Sequence, residues 1–257
     1  MKRYLKITAS LLSLLFLYTT GACGSDKNIE NYLKTMAEEF INEIPPDSSL
    51  IFGIKLKGDS KEEWTIRISS GKAEVNSGLP KQSSFCFVTD RETFIKIATK
   101  ELNPLTAMAR ANINDPAPLD VIPLNGFMPN KKFLGKLLPM TYSFFITKAP
   151  EVVYFGEKFS REIHGGKAVV FYYTPGLRSA WYRIEEGMMI NKDFNKSPNP
   201  FPSYFIVTDG RGKARIGKKE VDLRKGIGLL VPAGVPHQFW VEKGNMELIV
   251  IMFGEGA

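Results

Sequence analysis

Two cysteines and two histidines stand among 257 residues, and these scarcities exclude several kinds of chemistry. Two thiols cannot build a disulfide framework or a cysteine-rich zinc site, and a three-histidine metal centre cannot form within one copy of the chain. No Gly-x-Ser-x-Gly, His-Glu-x-x-His or P-loop occurs, so the motif-bearing serine hydrolases, zinc proteases and nucleotide hydrolases are ruled out. Gly210-Arg211-Gly212 falls short of a dinucleotide fingerprint and reads as a hairpin turn. No apolar run reaches the ~20 residues that a spanning helix needs. The formal charge of +7 is not gathered into a Lys/Arg-rich cluster, and with no groove-reading motif nucleic acid is not expected as a partner. What the chain does have is 44% hydrophobic and 24% mixed charged residues, too apolar for disorder. Its length suits one large or two small domains, each with a real core.

The first segment reads as an export signal. Lys2, Arg3 and Lys6 precede the apolar run Ile7–Tyr18, and small residues follow, the order of a secretory leader. The exit Thr20-Gly21-Ala22-Cys23 resembles the lipobox of bacterial lipoproteins, with Thr20 in place of the usual leucine. That resemblance implies cleavage of residues 1–22 and acylation of Cys23, hence a membrane-anchored protein facing the periplasm or the cell exterior. Ordinary cleavage with Cys23 as a free thiol is the alternative. Removing residues 1–22 leaves 31 basic against 27 acidic residues, a formal +4. Cys86, within Ser84-Phe85-Cys86-Phe87-Val88, reads as a buried small hydrophobe.

Two regions follow, predicted at 28–140 and 141–257. In the first, Ile29, Leu33, Met36, Phe40, Ile41 and Ile44 recur at helical spacing and stop at Pro45-Pro46. Strand patterns cover Ser49–Leu56, Trp64–Ser69, Lys72–Val75 and Ser84–Val88, taken as antiparallel. Asp90 stands as N-cap of a helix over Arg91–Lys100. Helical stretches follow at Leu105–Ala111 and Phe133–Leu138. This is an α+β layer, with helices on a sheet.

The Gly-Lys turn at Ser70-Gly71-Lys72, the Asp-initiated helix carrying Phe94, and the segment Thr99–Met108 together resemble the sterol carrier protein 2 family. The resemblance departs from the family at 111–118, where Pro116 and Pro118 weaken an expected strand. It implies an apolar tunnel for a lipid or other apolar ligand, with Phe85, Phe87, Phe94, Ile97, Leu105 and Met108 as candidate lining residues. Each of them alone reads more readily as core packing.

Beyond Pro139 the pattern is strand-like, with expected strands at Tyr142–Ile146, Val152–Phe155, Ala168–Tyr173, Ser179–Ile184, Tyr204–Thr208, Ala214–Ile216, Gly228–Val231, Gln238–Val241 and Glu247–Phe253. Turns at Thr174-Pro175-Gly176, Asp209-Gly210 and Lys243-Gly244 suit an all-β jelly-roll barrel. The stretch Gly226-Ile227-Gly228-Leu229-Leu230-Val231-Pro232-Ala233-Gly234-Val235-Pro236-His237 resembles the second cupin motif at every specified position. Pro232 and Gly234 turn the chain and His237 is delivered inward at a strand start.

The first cupin motif is degenerate. Five residues after Gly187, where the family has its first two histidines, stand Asp193 and Asn195, and Ser203 occupies the place of the glutamate. Asp193, Asn195, Ser203 and His237 are the candidate small-molecule site, and Asp193, Asn195 and His237 the candidate metal ligands. Such an oxygen-rich set holds transition metals more weakly than imidazoles do, and a metal-free barrel with a hydrogen-bonded His237 is favoured. His164, at Glu162-Ile163-His164-Gly165-Gly166, reads as a surface turn residue. The expectation is an exported lipoprotein that binds a lipid or apolar ligand and carries a non-catalytic cupin, which could also pair into a homodimer through the barrel. The alternative is a metal-dependent cupin enzyme, an oxygenase or isomerase, with an Asp/Asn/His site and a divalent ion.

Overall fold

The computed structural model describes residues 29–58, 62–111, 114–146 and 152–257. The leader 1–22 and Cys23 lie outside the described residues.

The first region runs α1 (Ile29–Phe40), β1 (Ser49–Leu56), β2 (Glu63–Ser69), β3 (Lys72–Ser77), β4 (Ser84–Thr89), α2 (Arg91–Ala98), α3 (Pro104–Met108), β5 (Asp120–Leu124) and α4 (Lys131–Phe145). The five strands form one sheet in the order β3-β2-β1-β4-β5. Sequence alternation cannot tell strand direction, and here the antiparallel expectation fails at one pair: β1 and β4 run parallel, with Gly53 opposite Cys86. Strand β5 is the edge strand, which is where Pro123 is tolerated because no ladder bond is lost on the outer side. The caps are local chemistry. Asp90 accepts from the Thr93 amide at 2.7 Å, and Asn103 accepts from the Leu105 amide at 2.8 Å, each satisfying a first-turn donor. Apolar faces of α1, α2 and α4 close over the sheet, burying Leu33, Phe40, Phe94, Ile97, Phe144 and Phe145.

Helix α4 corrects the reading at Pro139. A proline was expected to end the helix near Leu138 and Tyr142–Ile146 to form a strand, yet the helix continues through Pro139 to Phe145. Interior proline costs about 3 kcal/mol. Burial of Phe144 and Phe145, at about 1.5–3 kcal/mol each, outweighs it. Cys86 is fully buried, and burial pushes its thiol up to about 12. With so little thiolate at neutral pH, Cys86 should stay unmodified by a thiol reagent for hours in the native protein and react within minutes once denatured.

The second region is antiparallel throughout: β6 (Arg161–Ile163), β7 (Gly166–Thr174), β8 (Leu177–Glu185), β9 (Met189–Ile190), β10 (Ser203–Ile216), β11 (Lys219–Arg224), β12 (Gly228–Val231), β13 (His237–Trp240) and β14 (Asn245–Phe253). The order is β6-β7-β8-β14-β10-β13-β9, with β11 and β12 also paired to β10. No strand forms at Val152–Phe155. The two strands expected at Tyr204–Thr208 and Ala214–Ile216 are one continuous strand, β10, with an irregularity between Val207 and Asp209. Gly210 and Gly212 are therefore not a hairpin turn. They are points where neighbouring strands come close: a Cβ on Gly210 would meet the Asn245 carbonyl oxygen at 2.1 Å, and one on Gly212 the Trp240 oxygen at 2.7 Å.

Candidate functional site

A cavity of about 720 Å³ lies where the two regions meet. On one side it is walled by β5, by the segment from α3 to Ala111, and by α4, with Leu105, Met108 and Leu137 prominent. Opposite are β7, β8 and β14, with Val170, Ala180, Tyr182, Val250 and Met252. The register explains why these residues share a face: Ala168 pairs with Tyr182 and Val170 with Ala180, while Leu248 and Val250 sit across from Tyr182 and Ala180 on β14. The same face carries the barrel core, so the cavity continues the barrel interior under the helices of the first region. Two hydrogen bonds fix the regions together beside it. The Val170 amide donates to Thr106 Oγ1 and Arg161 Nε to the Thr106 carbonyl, both at 2.7 Å.

Polar groups in and around the apolar wall are few and distinctive. Arg178 is stacked on Tyr173 at 4.3 Å and near Phe201 at 4.9 Å, and burial lowers its pKa. Arg110 pairs with Asp120 at 2.9 Å. Burial opposes ionisation of Asp120, but hydrogen bonds from Arg110 and the Val121 amide win and hold its carboxyl below the usual range. Burial pushes the Tyr182 phenol up to about 12, so it stays a neutral donor.

The two histidines come within electrostatic reach of each other. His164 sits in the β6–β7 turn with φ 57°, solvent-exposed as expected of a turn residue, but its side chain also lines the cavity. His237 is 3% exposed. Its amide donates to Ser197 Oγ at 2.8 Å, and its Nδ1 lies 3.1 Å from the Val235 carbonyl. Phe205 and Phe239 flank the ring. Burial lowers its pKa first; the Val235 carbonyl opposes this and the His164 charge adds to it. Though His164 is exposed as a residue, the cavity wall partly shields its ring from water and lowers its pKa, against Asp115.

Folded imidazoles below the usual 6.5 mean that the unfolded chain takes up protons first as pH falls. The native state should therefore keep this contribution above about pH 6.5 and lose it below, at no more than about 1.4 kcal/mol per pH unit for the buried His237. Urea unfolding between pH 7.5 and 5 checks this, and His237→Gln should flatten the slope. An unchanged slope in that variant removes His237 as its source.

His237 thus begins a barrel strand with its ring turned inward, behind a turn made by Pro232 and by Gly234 at φ 74°. Residues 194–252 match the cupin domain model. This stretch is a cupin domain. The model of the SCP-2 sterol transfer family matches residues 48–113. Among solved structures, a cupin 2 conserved barrel domain protein from Salinispora arenicola is similar at 13% identity and TM-score 0.36, over 42% of this chain and 91% of its own. A second, from Leptotrichia buccalis, has 22% identity and TM-score 0.31, over 34% of this chain and 40% of that one. A conserved protein of unknown function from Streptococcus pyogenes has 13% identity and TM-score 0.35, over 44% and 94%. No curated protein matches the sequence.

The cupin's expected metal ligands are not brought together as a donor set. Asp193 is exposed and paired with Lys196 at 3.2 Å, and Asn195 is exposed in the short 3₁₀ turn Phe194–Lys196. Proline-rich spacing after Asn195 carries this turn along the surface. Ser203, in β10, is 1% exposed with its hydroxyl unpartnered, and a neutral hydroxyl is a poor metal ligand. Among the described residues no group of three or more His, Cys, Asp and Glu side chains is placed to hold a metal ion. Two imidazoles fall short of the three protein ligands of a catalytic site, so the cupin metal does not fit here.

Of the expected tunnel residues, Phe85, Leu105 and Met108 line the cavity. Phe87, Phe94 and Ile97 are instead closed into the core of the first region, at 0%, 0% and 2% exposure, because the helices lie directly on that part of the sheet. The sequence reading missed Arg178, Ala180 and Tyr182. A signal existed: alternation in Leu177–Glu185 puts these three on the face of core residue Ile184, and an arginine in the core-facing phase of a strand needs a reason.

Proposed function

We propose that the protein is an exported, membrane-anchored lipoprotein that takes up a lipid or other apolar ligand in the cavity between its two regions, with the cupin serving as a binding wall and not as a catalyst. The observation that carries this is the cavity itself. Its size falls in the range of ligand sites, its wall is mostly apolar with a few polar side chains, and one side belongs to a region whose family model is a sterol transfer family. The cupin side supports binding without turnover, since its metal-ligand positions hold an exposed Asp193, an exposed Asn195 and a buried Ser203.

The full chain, expressed in a bacterium with its own leader, should bind a fluorescent long-chain fatty acid saturably, and solvent extraction should release co-purifying lipid detectable by mass spectrometry. Absence of both overturns the binding reading. Elemental analysis should find metal far below one equivalent; stoichiometric iron, manganese or zinc that disappears in His237→Ala overturns the non-catalytic cupin. Labelled palmitate should enter the protein and be lost with Cys23→Ser, and a label-free wild type overturns the anchor.

A further inference from the structure

We propose that the ligand is an amphiphile with an anionic head, a carboxylate or a phosphate, and that Arg178 supplies the countercharge for that head. This deepens the lipid reading of the same cavity and rests on it.

Arg178 lines the cavity and projects from the face that also carries Ala180 and Tyr182. One of its terminal nitrogens donates to the Gly256 carbonyl at 3.1 Å. Its Nε is buried with no hydrogen-bond partner. Arg161 stands across from Ala168, on the same face of the sheet, and lies near enough to Arg110 and Tyr182 for their charges to act on it. Its Nε is satisfied by Thr106, and its Nη2 is buried and unpartnered. Among the described residues neither guanidinium has an ion pair. Of the described charged side chains that line the cavity, Arg110 is bound to Asp120 and Arg178 has no counter-ion, while Arg161 adds positive charge beside Arg110.

Arginine stays protonated even when burial opposes it, and a half-buried guanidinium with no counter-ion and one buried nitrogen left unbonded is costly. An anion in the cavity would supply Arg178 with both a counter-ion and the missing acceptor, and the planar fork suits carboxylate and phosphate oxygens. Tyr173 and Phe201 hold the Arg178 plane in place, so little side-chain freedom is lost on binding. The apolar remainder of the wall takes the chain.

The test displaces a fluorescent fatty acid from the full chain with palmitate, hexadecyl phosphate and hexadecanol, which share one tail. At least one of the two anionic compounds should bind about tenfold or more tighter than the alcohol, and the tighter of them identifies the head. The advantage should shrink to about threefold or less in Arg178→Gln, and at high salt. Hexadecanol binding as tightly as both anions overturns this inference and leaves the lipid reading standing. Failure of all three, together with the probe, overturns the lipid reading itself. Because the comparison of heads is made on the wild type, it holds even if a variant does not fold.

Discussion

Phe52→Ala should lower the unfolding free energy by about 3–5 kcal/mol, the range for removing a fully buried aromatic ring. Phe52 is 0% exposed and is the hub of an aromatic cluster, with ring centroids 5.5 Å from Phe85, 5.8 Å from Phe87 and 4.9 Å from Phe144. The contacts are mostly edge-to-face, the geometry that ring quadrupoles favour. Removing the ring leaves a hole that three rigid neighbours cannot close. For a chain of this size the melting temperature should fall by about 2–4 °C for each kcal/mol. Ligand binding should weaken too, because Phe85 stacks on Phe52 and also lines the cavity. Thermal melts with and without fatty acid check both parts; a melting temperature within about 2 °C of wild type means the cluster relaxes far better than this packing implies.

Gly210→Val should be at least as damaging. Gly210 has φ 71°, a region that costs an L-residue about 1–2 kcal/mol and a β-branched one more. The added Cβ would also meet the Asn245 carbonyl oxygen at 2.1 Å and the Met246 Cα at 3.1 Å, backbone atoms that cannot swing aside. A loss of more than about 4 kcal/mol, or no soluble barrel at all, is expected. Gly226 is the control. Its φ is 86° but nothing stands within 4 Å of its Cβ position, so Gly226→Ala should cost only the backbone strain. Denaturant unfolding of the two variants separates conformation from contact; equal losses would mean that strand approach at Gly210 is unimportant.

Much of this architecture was legible in the sequence because it is written in local chemistry. Asp90 reads as a cap and is one, β1 and β12 have the predicted bounds, and the spacing Gly226 to His237 places an inward histidine at a strand start. The failures have a common cause in long-range burial. Pro139 and Gly210 are strong local punctuation, yet one sits inside a helix held by Phe144 and Phe145 and the other inside a strand gripped by its neighbours. The cavity was only half legible. Phe85, Leu105 and Met108 lie on it, but periodicity gives the same signature for a lining residue and for a packed one such as Phe94. Asp193 and Asn195 were chosen by counting from Gly187, and a count along the chain cannot foresee that the prolines after them lead the segment over the surface.

The placement of the cavity bears on how such a protein can be taken apart or assembled. Its wall draws on α4 and β5 from one region and on β6 to β8 from the other, and the stretch 120–182 that supplies most of it lies between the two family-matched segments. Neither match, cut out as a module, would carry both walls of the cavity. Helix α4 crosses residue 140 without a break, so a chain divided there would part Phe144 and Phe145 from Phe40, Phe52 and Phe87. The cavity is a feature of the join, and swapping either fold for a relative should give a hybrid that lacks one of its two walls.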